Sequence, residues 1–359
     1  MNRQILHDNG HNLLVAPLAA FERKRVVDPE SPPVISLATS LRHAWNPREV
    51  DALQVALVTR RPLLLRGEPG CGKTQLARAA AHELGWALHA MTVHPRMEPS
   101  EVLYRFDAVE RLAWAQHKDT VDGLHGNRFY EPGPLWWALH WESAHQAYLD
   151  RKRACGSIRT ADALETPPAG HVVLIDEIDK ADADLPNSLL EVFGERQLPL
   201  PCFPYELSYH TPDRLPPLIL ITTNEDRELP APFLRRCVVL QMDVNADDVN
   251  WLVEHRAMAH YRPKGAAEDG REYLHEEVMR AAAARLVEER EVFRQHGMTE
   301  PGVAEYLDLL QALHTLQRQQ QWSDRELVEK LDRFADYVYR KHGGTHVPTG
   351  ARQCRDRVP

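Results

Sequence analysis

The residues best suited to chemistry stand in "LLLRGEPGCGKT", Leu63 to Thr74, where Gly67, Gly70 and Gly72 break up a short aliphatic run within six positions. The pattern is G-x-x-x-x-G-K-[ST]. Glycines at this spacing let the backbone fold around an anion with its N–H groups pointing inward, a shape that side chains would obstruct. Gly67, Glu68, Pro69, Gly70, Cys71, Gly72, Lys73 and Thr74 are therefore the candidate cradle for the phosphates of a nucleotide. Lys73 would reach the β- and γ-phosphates, and the Thr74 hydroxyl would hold Mg²⁺. The plain alternative is a Gly-rich turn between core elements; a strand before the loop and a helix after it, in that order, argue against it.

A second candidate follows about a hundred residues later, in "HVVLIDEIDKADADL". Val172 to Ile175 form an apolar run ending in Asp176 and Glu177. Carboxylates at the C-terminal end of a parallel strand sit in the crevice where such sheets bind ligands. There Asp176 can hold hydrated Mg²⁺, and Glu177 can polarise the attacking water as a general base. Alone, "DE" after an apolar run marks only a strand leaving the core; behind a phosphate loop it gains chemical meaning. In "PPLILITTNEDRELP" another strand ends in Thr222, Thr223 and Asn224, and Asn224 can position water against the γ-phosphate or simply cap a turn. Arg235 and Arg236, in "APFLRRCVVLQMDV", are surface charge or, in a ring, groups that project into a neighbour's phosphate site.

These residues need elements to hold them. "WNPREVDALQVALVTRRP" predicts a helix with Asn46 as N-cap, Pro47 at the first helical position and Glu49 three residues past the cap. Leu63 to Leu65 predict a strand covered on both faces, and "KTQLARAAAHELG" a helix closed by Gly85, so that phosphates would meet a helix N-terminus. "WALHAMTVH" predicts a second strand and "PSEVLYRFDAVERLAWAQ" an amphipathic helix. "NRFYEPGPLWWALHWESAHQAYL" places a Gly-Pro turn before an aromatic-rich helix, with Trp136, Trp137 and Trp141 as packing residues.

Beyond about residue 247 no strand pattern returns. Three helices follow: one stopped at Gly297, a second in "GVAEYLDLLQALHTLQRQQQ", and a third opened by a capping box of Ser323 and Glu326. Val328, Leu331, Phe334, Ala335 and Val338 recur at helical spacing as a core face. The expected division is an N-terminal extension over 1–45 with a Pro-rich joint, "DPESPPV", a nucleotide-binding domain over 46–246, and a helical lid and tail over 247–359.

The chain has 359 residues, a formal net charge of -9 and a pI near 6.1. That balance argues against a generally basic nucleic-acid binder. No apolar run approaches a membrane span and the first residues lack a signal-peptide core, so a cytoplasmic protein is expected. Cys71, Cys155, Cys202, Cys237 and Cys354 are odd in number and without paired spacing, which predicts reduced thiols. "HWESAH" fails as a zinc motif: His140 and His145 are five apart rather than four, and Glu142 does not directly follow the first histidine.

With these motifs in register, the chain resembles AAA+ ATPases of the MoxR-like branch. "RPLLLRGEPGCGKTQLA", "YRFDAVERL", "FYEPGPLWWAL", "LIDEIDKADADLPNSLLEVFGERQL" and "TTNEDRELPAPFLRRC" carry the likeness, which runs from about residue 46 to 317. The resemblance implies an α/β P-loop fold with a parallel sheet of order 5-1-4-3-2, a C-terminal helical lid, an insert in the second helix near "EPGPL", and a hairpin at about Leu198 to Pro216. It also implies ATP and Mg²⁺ as cofactors and assembly into a homo-oligomer, generally a hexameric ring. Such rings remodel or activate a protein partner, often one with a von Willebrand A domain. Lys73, Thr74, Asp176, Glu177 and Asn224, as the sensor, keep the roles argued above, and one of Arg235 and Arg236 would be the arginine finger. Where many relatives carry a second sensor arginine on the lid, "EPGVAEYLDLL" offers Glu305. A competing function is the motor or switch subunit of a nucleic-acid-processing or defence complex. The compact basic triplet Arg151, Lys152 and Arg153 does not favour it, since such a run is usually a solvated face.

Overall fold

Short aliphatic runs with little polar interruption build the centre of a parallel sheet, because strands covered on both faces need apolar side chains on both. The computed structural model describes residues 14–24, 35–38, 41–116, 126–155, 166–195, 197–198, 200–202, 207–208, 215–242, 244–262 and 272–340. The chain divides into two units, Met1–Val244 and Asn245–Pro359.

The first unit opens with helix α1 (residues 14–22) and the antiparallel pair β1 (Ile35–Ala38) and β2 (Leu41–Ala44). Helix α2 (Pro47–Thr59) starts on the expected capping box: the Asn46 side chain accepts from Arg48 N at 2.9 Å, and Glu49 accepts from Asn46 N at 3.0 Å. Strand β3 (Leu63–Arg66), helix α3 (Lys73–Leu84) and strand β4 (Ala87–Thr92) follow. Next come β5 (Tyr104–Phe106), α4 (Ala108–Gln116), β6 (Tyr130–Pro132), α5 (Pro134–Leu139), α6 (Trp141–Cys155) and β7 (His171–Asp176). Helix α7 (Asp184–Glu195), the short antiparallel pair β8 (Gln197–Leu198) and β9 (Leu207–Ser208), β10 (Leu218–Thr223), α8 (Ala231–Leu234) and β11 (Val238–Gln241) complete it.

The main sheet runs β11-β3-β10-β7-β4, and every neighbouring pair is parallel. Numbered along the chain, that is the order 5-1-4-3-2. Side chains alternate across it: Leu63 and Leu65 share a core with Leu53, Leu57 and Leu76, whereas Leu64 joins Trp136, Leu139 and Leu189 on the other face. Phe21 of α1 and Trp45, both buried, belong to the first of these cores.

Two sequence readings change here. The amphipathic helix expected from Pro99 to Gln116 is a 3-10 turn (Pro99–Val102), then β5 and α4, with no buried residue on α4. Tyr104 to Phe106 find a strand partner in β6, and the Asp107 carboxylate caps Glu110 N at 2.9 Å, so the helix begins afresh at Ala108. The aromatic-rich helix after the Gly-Pro turn is two helices, α5 and α6, broken at His140. The pair β8–β9 falls in the segment expected to form a hairpin. Most of that segment lies outside the described residues, as do the Pro-rich joint and Cys354.

The second unit contains α9 (Val249–Leu252), continued by a π turn (Val253–Ala257) into α10 (Met258–His260), then α11 (Glu276–Gln295), α12 (Val303–Gln320) and α13 (Asp324–Tyr339). A small parallel pair, β12 (Tyr261–Arg262) and β13 (Glu272–Tyr273), corrects the expectation of helices alone. The Ser323–Glu326 capping box is present. The buried stripe of α13 is Leu327, Leu331, Ala335 and Tyr339, so Val328, Phe334 and Val338 flank it half-buried. Tyr339 can extend the stripe because its hydroxyl donates to Ala282 O at 3.2 Å. Glu305 accepts from Gly302 N at 2.9 Å and so caps α12. Among the described residues no helix is long and apolar enough to cross a membrane.

Candidate active site

The phosphate loop joins β3 to α3 through backbone that side chains would oppose. Gly67, Gly70 and Gly72 have φ of 148°, 79° and 102°. At Gly67 a Cβ would stand 2.8 Å from Met242 O and 3.1 Å from Cys71 Sγ, so both conformation and space demand glycine. Lys73, 7% exposed, donates to Gly67 O at 2.6 Å and Glu68 O at 3.0 Å, with Cys71 Sγ at 3.8 Å. The lysine head is thus tied to the backbone of its own loop.

Thr74, the second residue of α3, donates its hydroxyl to the Asp176 carboxylate at 3.0 and 3.2 Å. Asp176 ends β7. Its Oδ1 also accepts from Thr222 Oγ1 at 2.6 Å, and the same Thr222 oxygen accepts from Glu177 N at 2.8 Å. Glu177 has φ 62°, a left-handed conformation that costs a non-glycine residue about 1–3 kcal/mol. Its carboxylate takes Lys180 Nζ at 2.5 Å and Asn224 Nδ2 at 3.4 Å. The hydrogen bond to Glu177 raises the Lys180 pKa above its ordinary value. Asp179, 2% exposed, accepts from the backbone N–H groups of Asn224 and Asp226 at 3.1 and 3.0 Å.

The fold therefore gathers Lys73, Thr74, Asp176, Glu177 and Asn224 at the carboxyl ends of three adjacent strands, β3, β10 and β7. Arg235 and Arg236 stand elsewhere. They follow α8 just before β11, and Val238 pairs with Leu63 at the amino end of β3. At about 3.3 Å of rise per strand residue, β3 puts on the order of 10 Å of sheet between them and their own phosphate loop. Both are exposed, and neither makes an ion pair with a described residue. Cys237, next in the chain, is buried, and burial pushes its thiol up to about 12.

Thr222, Asp179 and Lys180 escaped sequence reasoning as site residues. The repeated acids of "DEIDK" were the available signal for Asp179. Elsewhere, His145 stacks on Trp141 at 4.5 Å and His140 Nδ1 accepts from Ser143 N at 3.4 Å, which places the "HWESAH" histidines in packing and capping.

A glycine-shaped loop leading into a helix N-terminus, with a strand-end carboxylate facing its threonine, defines a P-loop nucleotide hydrolase. Residues 62–237 match the family AAA domain (dynein-related subfamily). The match marks this segment as an AAA domain, the nucleotide-binding fold of an ATP hydrolase. No curated protein matches the chain. Among solved structures, a candidate ATPase from Cytophaga hutchinsonii aligns at 12% identity with a TM-score of 0.39, over 94% of this chain and 90% of its own. A point mutant of RuvB from Thermotoga maritima aligns at 16% identity with a TM-score of 0.38, over 79% of this chain and 66% of its own.

Proposed function

We propose that the protein is a MoxR-like ATPase that hydrolyses ATP with Mg²⁺ as a homo-oligomeric ring, a hexamer by family likeness. In this reading the cycle remodels or activates a protein partner, and a von Willebrand A domain protein is the class that the resemblance suggests. The hard oxygen donors of Thr74 and Asp176, brought together at 3.0 to 3.2 Å, suit Mg²⁺ and would hold it. When bound, the ion neutralises charge on the β- and γ-phosphates. The backbone of Gly67 to Gly72 receives the phosphates, and Lys73 exchanges a loop carbonyl for a phosphate oxygen. Glu177 accepts the proton of the attacking water, and the Asn224 amide orients that water.

The observation that carries the ring is the division of the site. The phosphate loop, the acids and Asn224 share one end of the sheet, whereas Arg235 and Arg236 are exposed near the amino end of β11. Arginines so placed serve a neighbour's phosphates more readily than their own. An arginine finger contributes roughly 10³ to 10⁵ in rate because it meets charge that develops in the transition state. Mixing the Lys73→Ala protein, which keeps its arginines, with an Arg235→Ala/Arg236→Ala protein, which keeps its phosphate loop, is expected to restore turnover through mixed interfaces. Specific activity that stays constant down to a demonstrated monomer, with no rescue on mixing, would refute the shared site.

A further inference from the structure

The turn after β7 holds a second carboxylate that the hydrolytic roles above do not use. Asp179 is almost fully buried. Its Oδ2 accepts two backbone N–H groups, Asn224 at 3.1 Å and Asp226 at 3.0 Å, while its Oδ1 has no hydrogen-bond partner among the described residues. Burying a carboxylate with one oxygen unmet is costly, and the two donors that hold the other oxygen belong to a single loop. Between them lies Glu225, left-handed at φ 65°, whose N–H is taken by Thr223 Oγ1 at 2.9 Å. The loop is thus wrapped on one carboxylate oxygen. Asn224 begins that loop, and Glu177 lies two residues before Asp179 on the facing turn.

We propose that Asp179 is a positioning residue for hydrolysis: it fastens the loop bearing Asn224 to the turn bearing Glu177, so that both side chains address the same water. The 3.4 Å approach of Asn224 Nδ2 to Glu177 Oε1 is the juxtaposition it maintains. The inference rests on the roles given above to Asn224 and Glu177. A fastening made through one acceptor oxygen does not depend on the negative charge. Asp179→Asn keeps an oxygen for both N–H groups and turns its amide nitrogen toward the side where Oδ1 is unpartnered, whereas Asp179→Ala keeps nothing.

The test measures kcat for phosphate release and the affinity for a fluorescent ATP analogue in the full chain, for both Asp179 variants, for Asn224→Ala and for the Asp179→Ala/Asn224→Ala double variant. Asp179→Ala is expected to lower kcat by about 10- to 100-fold with analogue affinity changed less than about twofold, because positioned polar groups act chiefly in the transition state. Asp179→Asn is expected to stay within about threefold of the parent, and adding Asp179→Ala to Asn224→Ala to cost less than about twofold more, as groups acting as one unit are not additive. A kcat for Asp179→Ala near the parent's beside a disabled Asn224→Ala overturns this inference alone. So do an Asp179→Asn protein as slow as the alanine variant and penalties that multiply in the double variant. Normal turnover in Asn224→Ala instead overturns the role of Asn224 itself. If Asp179→Ala does not fold, Asp179→Ser, whose shorter arm withdraws the oxygen from the N–H pair, takes its place, and parental kcat in that protein overturns the proposal.

Discussion

Thr222→Val removes one hydroxyl and almost no volume, which makes it a clean probe of how the acids are held. Thr222 is fully buried; its Oγ1 donates to Asp176 Oδ1 at 2.6 Å and accepts from Glu177 N at 2.8 Å. A hydrogen bond to a charged group contributes about 1.5–3 kcal/mol, and a backbone N–H left without an acceptor costs about 1–3 kcal/mol. Asp176 is only half-buried and water can replace part of the loss, so the expected destabilisation is about 2–4 kcal/mol. For a unit of this size that corresponds to a fall in melting temperature of roughly 5–15 °C. Function should suffer separately. The left-handed Glu177 persists only because its surroundings fix it, and freeing its N–H lets the turn relax and carry the carboxylate away. We expect kcat to fall about 10- to 100-fold with ATP affinity little changed, read by phosphate release beside a thermal melt over a Mg²⁺ titration. A valine variant that melts within about 1 °C of the parent and turns over within about twofold would show that the bridge holds nothing, and the reasoning would be refuted.

Glu177→Gln is expected to bind ATP like the parent and lose about 10² or more in turnover, whereas Lys73→Ala should lose binding; parental turnover in the glutamine protein would remove Glu177 from the general-base role. Gly67→Ala forces a Cβ to 2.8 Å from Met242 O at φ 148°, and an ATP affinity reduced by about tenfold or more is expected in equilibrium titration, an unchanged affinity being the contrary result. Burial against His171 and Trp137 lowers the His89 pKa from 6.5 to about 4. The folded protein therefore favours neutral His89, and the associated stability is present above about pH 6.5 and lost as pH falls toward 4, up to about 3 kcal/mol. His89→Gln should flatten the fall in melting temperature over that window, and an identical pH profile for both proteins would contradict the assignment.

What could be read from the sequence was what short spacing encodes. Gly67, Gly70, Gly72, Lys73 and Thr74 are close neighbours in the chain, so their pattern is visible without a fold, and the apolar runs at Leu63, Val172 and Leu218 mark doubly covered strands directly. The partners of those residues were not visible. Thr222 meets Asp176 across 46 positions and Asn224 meets Asp179 across 45, and no periodicity records such meetings. Tyr104 to Phe106 show the same limit: their helical-looking context is overridden by pairing with Tyr130 to Pro132. The shift of the α13 stripe toward Leu327 and Tyr339 has a simpler cause, since a tyrosine with a buried acceptor for its hydroxyl can be a core residue.

The order of the sheet explains why so much rests on Thr222. Strand β10 lies between β3 and β7, so a side chain at its carboxyl end can touch the acidic turn while standing beside the strand that feeds the phosphate loop. Thr222 is paired with Leu65 on one side, and its hydroxyl meets Asp176 and Glu177 on the other. The groups assigned to chemistry, Glu177 and Asn224, are carried on turns beyond the strand ends and depend on Thr222 and Asp179 for their placement. Substitutions inside the strands should therefore act mainly through stability. Substitutions of these two supports should separate binding from turnover, because the phosphate loop is held by its own contacts, Lys73 to Gly67 O and Glu68 O, and does not need them to receive a nucleotide.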